Sequence, residues 1–265
     1  MIIIGERING MFLDVRKAIQ TKDKSVIQEL ARKQTSCGAN YLDVNVGPAS
    51  DDPKSAIVWL VETIQEVVDT PIAIDVYTKF EVMEAGVKAC KKGKVMINST
   101  NGTEKKLKNL IPLAAEWDAT IIGLCMDDRG IPSDTDYRVE VAGNILVSAM
   151  EHGISADRVF IDPIINPINV SQDQFNHVLA SIRTIKENIS PECHFVVGLS
   201  NVSQGTKKRE LINRTALVML AAVGLDAAIA DPMDTELMDA MITTEILLNK
   251  IIYNDSYLEA YRKCF

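Results

Sequence analysis

The feature of this sequence that most constrains its fold is the regular alternation of short apolar runs with longer amphipathic segments along the chain. The apolar runs are predicted to be β-strands, at Ile2–Ile4, Tyr41–Val46, Ile72–Asp75, Val95–Asn98, Thr120–Cys125, Val159–Asp162, Phe195–Leu199 and Ala227–Ala230. Between them, segments such as 25–38, 55–68 and 175–187 carry apolar residues at helical spacing. Strands that are apolar on both faces are typical of a parallel sheet covered by helices.

The number and size of these units favour a closed (β/α)8 barrel, the TIM-barrel fold, because such barrels place eight strand–helix units in about 250 residues. The alternative is a doubly wound open sheet. That fold would be favoured by a GxGxxG fingerprint after the first strand, and the chain has GERING at 5–10 instead. No linker, repeat or low-complexity tract divides the sequence, so residues 1–265 are predicted to form a single domain.

Charge and cysteine content narrow the class of protein. The formal net charge of −8 disfavours nucleic acid and anionic lipid surfaces as partners. The five cysteines are scattered without a CxxC pair, which is typical of a reducing compartment: Cys37, Cys90, Cys125, Cys193 and Cys264. The apolar runs are shorter than the 18–20 residues, approximately, that span a bilayer. We therefore expect a cytoplasmic protein that binds neither nucleic acid nor a membrane.

Polar side chains follow almost every predicted strand. They are Glu6, Arg7 and Asn9, then Asp43 and Asn45, Asp75, Asn98 to Asn101, Asp127 and Asp128, Asp162, Ser200 and Asn201, and Asp231. In a parallel barrel the carboxyl ends of the strands meet at one rim, where the active site lies. At any single position, however, an Asp, Asn or Ser serves equally well as a helix cap or turn residue.

Four of these positions point more strongly to a site, because each directly follows a buried run: Asp75, Asn98, Asp162 and Asn201. Asp231, by contrast, precedes a proline and is typical of a turn, and residues 127–128 resemble a solvated loop. Carboxylates and amides that face one cavity suit a planar heterocycle rich in N–H donors and carbonyl acceptors.

The usual reactive side chains are missing from the predicted rim. His152 and His177 lie in helical segments and His194 starts the seventh strand, which argues against a histidine metal site or triad. No lysine ends a predicted core strand, which argues against Schiff-base chemistry. The one basic loop, SQGTKKRE at 203–210, is either simply exposed or a rim for an anionic tail or an acidic partner.

Several motifs resemble the methyltetrahydrofolate:corrinoid protein methyltransferases, in the same order and spacing along essentially the whole chain. They are GERING (5–10), LDVNVGP (42–48), INSTN (97–101), IDP (161–163), GLSNVSQ (198–204), LINRT (211–215) and GLDAAIAD (224–231). The resemblance implies a pterin-binding (β/α)8 barrel, usually a homodimer. It also implies methyl transfer between N5 of tetrahydrofolate (5-methyltetrahydrofolate when methylated) and the cobalt of a corrinoid (cobalamin) that a separate protein carries.

The resemblance also implies a substrate site at Asp75, Asn98, Asp162, Gly198, Ser200, Asn201, Gln204 and Arg209. Asp75, Asn98 and Asp162 would hold the polar edge of the pterin. Asn201, supported by Asp162, would act at N5 as catalytic residue. Gly198 and Ser200 would shape the floor, with Gln204 and Arg209 near the substrate or its tail. The chain itself would bind no metal.

Departures from the family pattern bear on the partner and the direction. Acetogenic members read Asp-Ser-Thr-Asn after the third strand, whereas this chain reads DVYT at 75–78. We interpret this as a different corrinoid protein, in a demethylation system that passes the methyl group to tetrahydrofolate. The alternatives are transfer to a corrinoid iron–sulfur protein in acetyl-CoA synthesis, a non-catalytic pterin-binding module and a dihydropteroate synthase. A synthase would need a lysine near the end of strand seven and a late SxR motif.

Overall fold

The computed structural model describes residues 1–77 and 79–253, and the predicted β/α alternation is confirmed there. The strands are β1 (Ile2–Asn9), β2 (Tyr41–Asn45), β3 (Ile72–Asp75), β4 (Val95–Asn101), β5 (Thr120–Leu124), β6 (Val159–Asp162), β7 (His194–Phe195) and β8 (Ala227–Ala230). The helices are α1 (Leu13–Thr21), α2 (Lys24–Ser36), α3 (Pro53–Gln65), α4 (Phe80–Ala89), α5 (Glu104–Glu116), α6 (Thr135–Glu151), α7 (Gln174–Asn188), α8 (Arg209–Ala222) and α9 (Thr235–Leu247).

The strands form one parallel sheet in the order β7-β6-β5-β4-β3-β2-β1-β8. The sheet curls until its two edges meet just beyond β7, where Gly198 pairs with Ile229 in a parallel bridge. The Ile229 N–H also donates to the Val197 carbonyl over 2.9 Å. The predicted (β/α)8 barrel is therefore confirmed, and the open-sheet alternative is wrong.

The apolar core has two parts, one on each face of the sheet. The larger part fills the space between strands and helices. The smaller part lies inside the barrel and consists of Ile4, Ala73, Met96, Ile122, Phe160, Val196 and Ala227. Because side chains alternate along a strand, the residue two positions after each of these faces inward again, one layer closer to the carboxyl ends.

The predicted seventh strand is too long. Phe195–Leu199 was expected to be extended, but β7 stops at Phe195 and a short 3-10 helix occupies Leu199–Asn201. Val196 still donates to the Ile161 carbonyl over 3.0 Å, so the chain continues along β6 before it bends. The bend is closed by the Asn201 N–H, which donates to the Gly198 carbonyl over 3.1 Å. It carries polar side chains over the end of the barrel.

Two strands are longer than predicted, because their polar ends interrupt the apolar pattern. β1 runs to Asn9 rather than Ile4, with a register shift between Gly5 and Ile8. β4 runs to Asn101 rather than Asn98, with a shift between Asn98 and Thr100. Polar residues at these strand ends are thus part of the barrel wall.

The side chains that cap the helices do not belong to the four predicted site residues. The side chains that accept first-turn N–H groups are Asp23, Asp52, Thr103, Asp134 and Asp234. The capping explanation therefore does not apply to Asp75, Asn98, Asp162 or Asn201.

The structure also locates the histidine and cysteine residues that the sequence analysis considered. His194 begins β7, at the amino end of the barrel, where its ring bonds Asp226 and stacks on Phe160. Cys37, Cys90, Cys125 and Cys193 are free thiols, and Cys264 lies outside the described residues. Across residues 1–77 and 79–253, no helix has the length and apolar character that crossing a membrane requires.

Candidate active site at the barrel mouth

A cavity of about 720 Å³ opens at the carboxyl ends of the strands. Its floor and wall include one inward residue from every strand or strand extension: Glu6, Asp43, Asp75, Asn98, Leu124, Asp162, Gly198 and Asp231. Most stand two positions beyond a residue of the inner core, as Glu6 does after Ile4 and Asp162 after Phe160. Six of these eight residues have polar side chains, so the end of the barrel is a largely polar cavity.

The structure brings together all but one of the predicted site residues. Those that line the cavity are Asp75, Asn98, Asp162, Gly198, Ser200, Asn201 and Arg209. Gln204 is exposed and is not among the lining residues. The four positions that sequence reasoning favoured, on β3, β4, β6 and the turn after β7, thus face one space.

One wall of the cavity is a pair of acid–amide contacts. Asn98 Nδ2 donates to Asp43 Oδ1 over 2.9 Å, which leaves the Asn98 carbonyl oxygen as an acceptor for a ligand. Asn45 Nδ2 donates in the same way to Asp75 Oδ2 over 2.6 Å. Burial raises the pKa of Asp43 well above its ordinary value, and the nearby Asp75 carboxylate adds to that effect. Burial also raises the pKa of Asp75.

Asp162 is fixed by the turn that follows β6. Its Oδ1 accepts the Ile164 N–H over 2.8 Å. Ile164 has a φ of +62°, which a β-branched residue rarely adopts, so the turn is strained. The bond from the turn orients the carboxylate and leaves its other oxygen for a ligand. Burial raises the pKa of Asp162 to about 7.

The turn after β7 presents Ser200 and Asn201. Ser200 Oγ donates to Glu6 Oε1 over 2.7 Å, and Arg209 Nη2 donates to the Ser200 carbonyl over 3.2 Å. A Cβ atom on Gly198 would lie 2.8 Å from Asn201 Nδ2. A glycine at this position therefore lets the Asn201 amide lie close against the backbone.

Sequence reasoning noted Glu6, Asp43 and Asp231 at strand ends but did not assign them to the site. Asp231 has the predicted turn role, since its Oδ1 accepts the Met233 N–H over 3.0 Å, and it also lines the cavity. Burial raises the pKa of both Glu6 and Asp231. The two-residue step from inward apolar side chains is the signal that identifies all three.

The chemistry of this cavity follows from its donor and acceptor groups. Carboxylate and amide oxygens predominate, so a flat ligand with several N–H groups fits better than an anion. In the described part of the chain, no cluster of three or more His, Cys, Asp or Glu side chains is arranged to hold a metal ion. The site can orient a heterocycle, accept its N–H groups and stabilise positive charge on it.

Comparisons with known proteins agree with this chemistry. Residues 12–231 match the family described as pterin binding enzymes. The chain is 34% identical over 267 residues to the methylcorrinoid:tetrahydrofolate methyltransferase of Eubacterium limosum, covering 100% of this chain and 96% of that protein. It is 28% and 27% identical to the methionine synthases of Mycobacterium leprae and Mycobacterium tuberculosis, in each case over 86% of this chain. It spans only 20% of the length of either synthase.

Solved structures share the barrel at low sequence identity. The dihydropteroate synthase of Yersinia pestis has a TM-score of 0.65 at 16% identity, covering 94% of this chain and 93% of that one. The enzyme of Xanthomonas albilineans has a TM-score of 0.67 at 17% identity, covering 94% and 92%. At this level of identity the likeness concerns the fold alone.

Proposed function

This chain belongs to the family of pterin binding enzymes, and on that premise we propose that it transfers a methyl group from a methylated corrinoid protein to N5 of tetrahydrofolate. The observation that carries the proposal is the end-to-end similarity to a methylcorrinoid:tetrahydrofolate methyltransferase, at 34% identity. The direction follows the name of that relative. The acceptor-rich cavity at the barrel mouth supports the same substrate.

The polar edge of the pterin is assigned to Asp75, Asn98 and Asp162. Asp75 and Asp162 each keep one oxygen free to accept an N–H group of the pterin, because the other oxygen already accepts a bond from the protein. Asn98 contributes its carbonyl oxygen, because its Nδ2 is already bonded to Asp43. Asn45 and the Ile164 N–H hold the two carboxylates in place, so the site is organised before the substrate arrives.

Asn201 is assigned to N5, with Asp162 as the carboxylate that supports it. The N5 lone pair forms the new bond to the methyl carbon, while the bond from methyl to cobalt breaks and leaves its electron pair on the metal. Positive charge therefore develops on N5. The Asn201 carbonyl oxygen and the carboxyl groups of the cavity stabilise that charge. The corrinoid supplies the methyl group, and no side chain of the protein needs to be a nucleophile.

The remaining predicted residues shape the site and its exit. Gly198 and Ser200 form part of the floor beside Asn201. Arg209 lines the cavity near its edge and is a suitable partner for a carboxylate of the substrate tail. Gln204 is exposed on the adjoining loop, and a contact with the tail remains a prediction.

The assembly is also part of the proposal. The corrinoid protein must approach the carboxyl end of the barrel, because N5 lies in that cavity. The outer face of α8 exposes Leu211, Val218 and Met219, which supports a homodimer. Light scattering in solution tests this, and a monomer at working concentration would remove it. The free thiols support a reducing, cytoplasmic location. The proposal also takes residues 1–265 as a single domain.

The test of the reaction uses tetrahydrofolate and methylcob(III)alamin as a free methyl donor. We expect the visible spectrum of the corrinoid to change as 5-methyltetrahydrofolate forms, with the product identified by mass. Enzyme with bound tetrahydrofolate but no methyl product would support the non-catalytic module instead. Condensation of a pterin diphosphate with aminobenzoate would support the synthase alternative. Faster transfer from 5-methyltetrahydrofolate to a reduced corrinoid iron–sulfur protein would reverse the assigned direction.

A further inference from the structure

Glu6 is a partly buried carboxylate of the cavity that the chemistry described above leaves without a role. It lies on β1, two positions after the inward-facing Ile4, so its side chain enters the cavity. Burying such a group lowers the free energy of unfolding. Its presence in the cavity therefore points to a function.

Glu6 is bonded to the turn that presents Asn201. Its Oε1 accepts the Ser200 hydroxyl over 2.7 Å, and Ser200 directly precedes Asn201. Arg209 holds the same turn, since its Nη2 donates to the Ser200 carbonyl over 3.2 Å and its Nε donates to Ser203 Oγ over 3.1 Å. The carboxylate, the hydroxyl and the amide therefore form one fixed unit beside the place assigned to N5.

The groups around Glu6 make it a stronger base than an exposed glutamate. Burial is the main cause of its raised pKa, and the Asp231 carboxylate at the end of β8 acts in the same direction. The Ser200 bond and the positive charges of Arg209 and Arg7 act in the opposite direction. Asp43 on β2 also interacts with the Glu6 charge. A base of this kind can accept a proton from a cation that forms next to it.

We propose that Glu6 accepts the proton that N5 of tetrahydrofolate loses on methylation, with the Ser200 hydroxyl as the relay. Once the carbon–nitrogen bond has formed and the methyl–cobalt pair has stayed on the metal, N5 carries a proton and a positive charge. That proton passes to Ser200 Oγ while the hydroxyl proton passes to Glu6 Oε1. One proton moves in total, and Ser200 is unchanged. This assignment rests on the proposed function.

The geometry favours Glu6 over Asp162 for this step. One oxygen of Asp162 is already bonded to the Ile164 N–H, and its other oxygen is assigned to the pterin edge. Asp162 also belongs to β6, whereas Glu6 is directly bonded to the residue next to Asn201. Holding the ring and removing its proton are thus assigned to carboxylates on different strands.

The experiment compares wild type with Glu6→Gln, Glu6→Asp and Ser200→Ala in the transfer from methylcob(III)alamin to tetrahydrofolate. The matched control is Glu104→Gln, an exposed glutamate on the first turn of α5 that pairs with Lys108. For wild type and the control, kcat at saturating tetrahydrofolate should fall at low pH as Glu6 is protonated. We use kcat because it reports the enzyme with substrate bound, in which Asp162, whose pKa is also raised in the free protein, is assigned to the pterin. Glu6→Gln should lose this acid limb and turn over roughly 100-fold more slowly, the usual scale of general-base catalysis.

Four further results are expected, and the last two separate base catalysis from a structural role. Glu6→Asp should recover part of the rate, and Ser200→Ala should be slow as well, because it breaks the relay. Formate should partly rescue Glu6→Ala in a concentration-dependent manner, since a small carboxylate can occupy the space. The affinity of Glu6→Gln and Glu6→Ala for tetrahydrofolate, measured by calorimetry, should stay within a few-fold of the wild-type affinity.

A Glu6→Gln enzyme with the wild-type rate and acid limb would overturn the proposal. If Asp162→Asn loses the acid limb of the pH profile and Glu6→Gln keeps it, Asp162 is the proton acceptor instead. If Glu6→Ala loses tetrahydrofolate binding and formate does not rescue its activity, Glu6 only supports the turn. If Glu6→Gln does not fold, the Glu6→Asp and Ser200→Ala profiles decide. Wild type that transfers no methyl group would refute the proposed function itself, a different outcome from all of these.

Discussion

Replacing Asp162 by asparagine should make the ligand-free protein more stable above neutral pH, although it removes a residue of the site. Burial raises the pKa of this carboxyl to about 7 from an ordinary value of 3.8. The unfolded chain therefore loses the proton at lower pH than the folded chain does. The stability that the protonated carboxyl provides is present below about pH 4 and is lost as the pH rises towards 7.

The size of the effect follows from the difference between the two pKa values. One pKa unit corresponds to about 1.4 kcal/mol, so the full difference is worth about 4 kcal/mol. Water in the open cavity reduces this, and we expect a gain of about 2–4 kcal/mol at pH 8. The amide oxygen of asparagine can still accept the Ile164 N–H, so the bond that fixes the turn survives.

Urea unfolding of both proteins at about pH 4 and about pH 8 measures this directly. The gain should be near zero at the lower pH and fully developed at the higher one. Asp157→Asn, at an exposed position just before β6, is the control and should change little at either pH. Equal or lower stability of Asp162→Asn at pH 8, or a gain that does not depend on pH, would refute the reasoning. Tetrahydrofolate should bind the variant more weakly.

Three other substitutions test the arrangement of the site. Asn201→Ala should slow methyl transfer by about 2–4 kcal/mol in activation free energy, the scale of one preorganised hydrogen bond; stopped-flow spectra of the corrinoid measure this, and normal turnover would discard the assignment. Gly198→Ala places a Cβ atom 2.8 Å from Asn201 Nδ2, so kcat should fall while circular dichroism stays unchanged; an unaffected kcat would show that the Asn201 position is not critical. Asp43→Ala removes the acceptor of the Asn98 amide and should weaken tetrahydrofolate binding by about 1–3 kcal/mol in calorimetry; an unchanged Kd would mean that Asp43 does not orient Asn98.

The barrel and much of the lining of the candidate site could be predicted because apolar periodicity and strand-end position are local properties of the sequence. Asp75 and Asp162 end apolar runs, and each proved to be the last residue of its strand. Asp43 was harder to assign because it lies inside a strand, between Leu42 and Val44. Only the alternation of inward and outward side chains places it in the cavity, and that requires knowing which face of β2 points inward.

The turn after β7 could not be predicted, because long-range contacts determine it. VVGLS looks like a continuous strand, yet Ser200 is bonded to Glu6, 194 residues away in the sequence. Gly198 pairs with Ile229 of β8 in a single bridge, and the chain bends over the cavity directly after it. The position of Asn201 thus depends on the closure of the barrel, which no local pattern encodes.

The charge of the cavity argues for methyl transfer over the diphosphate chemistry that the synthase alternative requires. Arg7 is already engaged, since it lies over the Phe12 ring and its Nη2 donates to Asp14 over 3.2 Å. Arg209 also lines the cavity, but its Nε and Nη2 donate to Ser203 Oγ and the Ser200 carbonyl. A diphosphate would therefore meet chiefly the carboxyl groups of Glu6, Asp43, Asp75, Asp162 and Asp231. Methyl transfer to N5 instead creates a positive charge that those groups stabilise. The fold shared with the dihydropteroate synthases supplies the scaffold, and we infer that the ring of carboxylates favours methyl transfer on it.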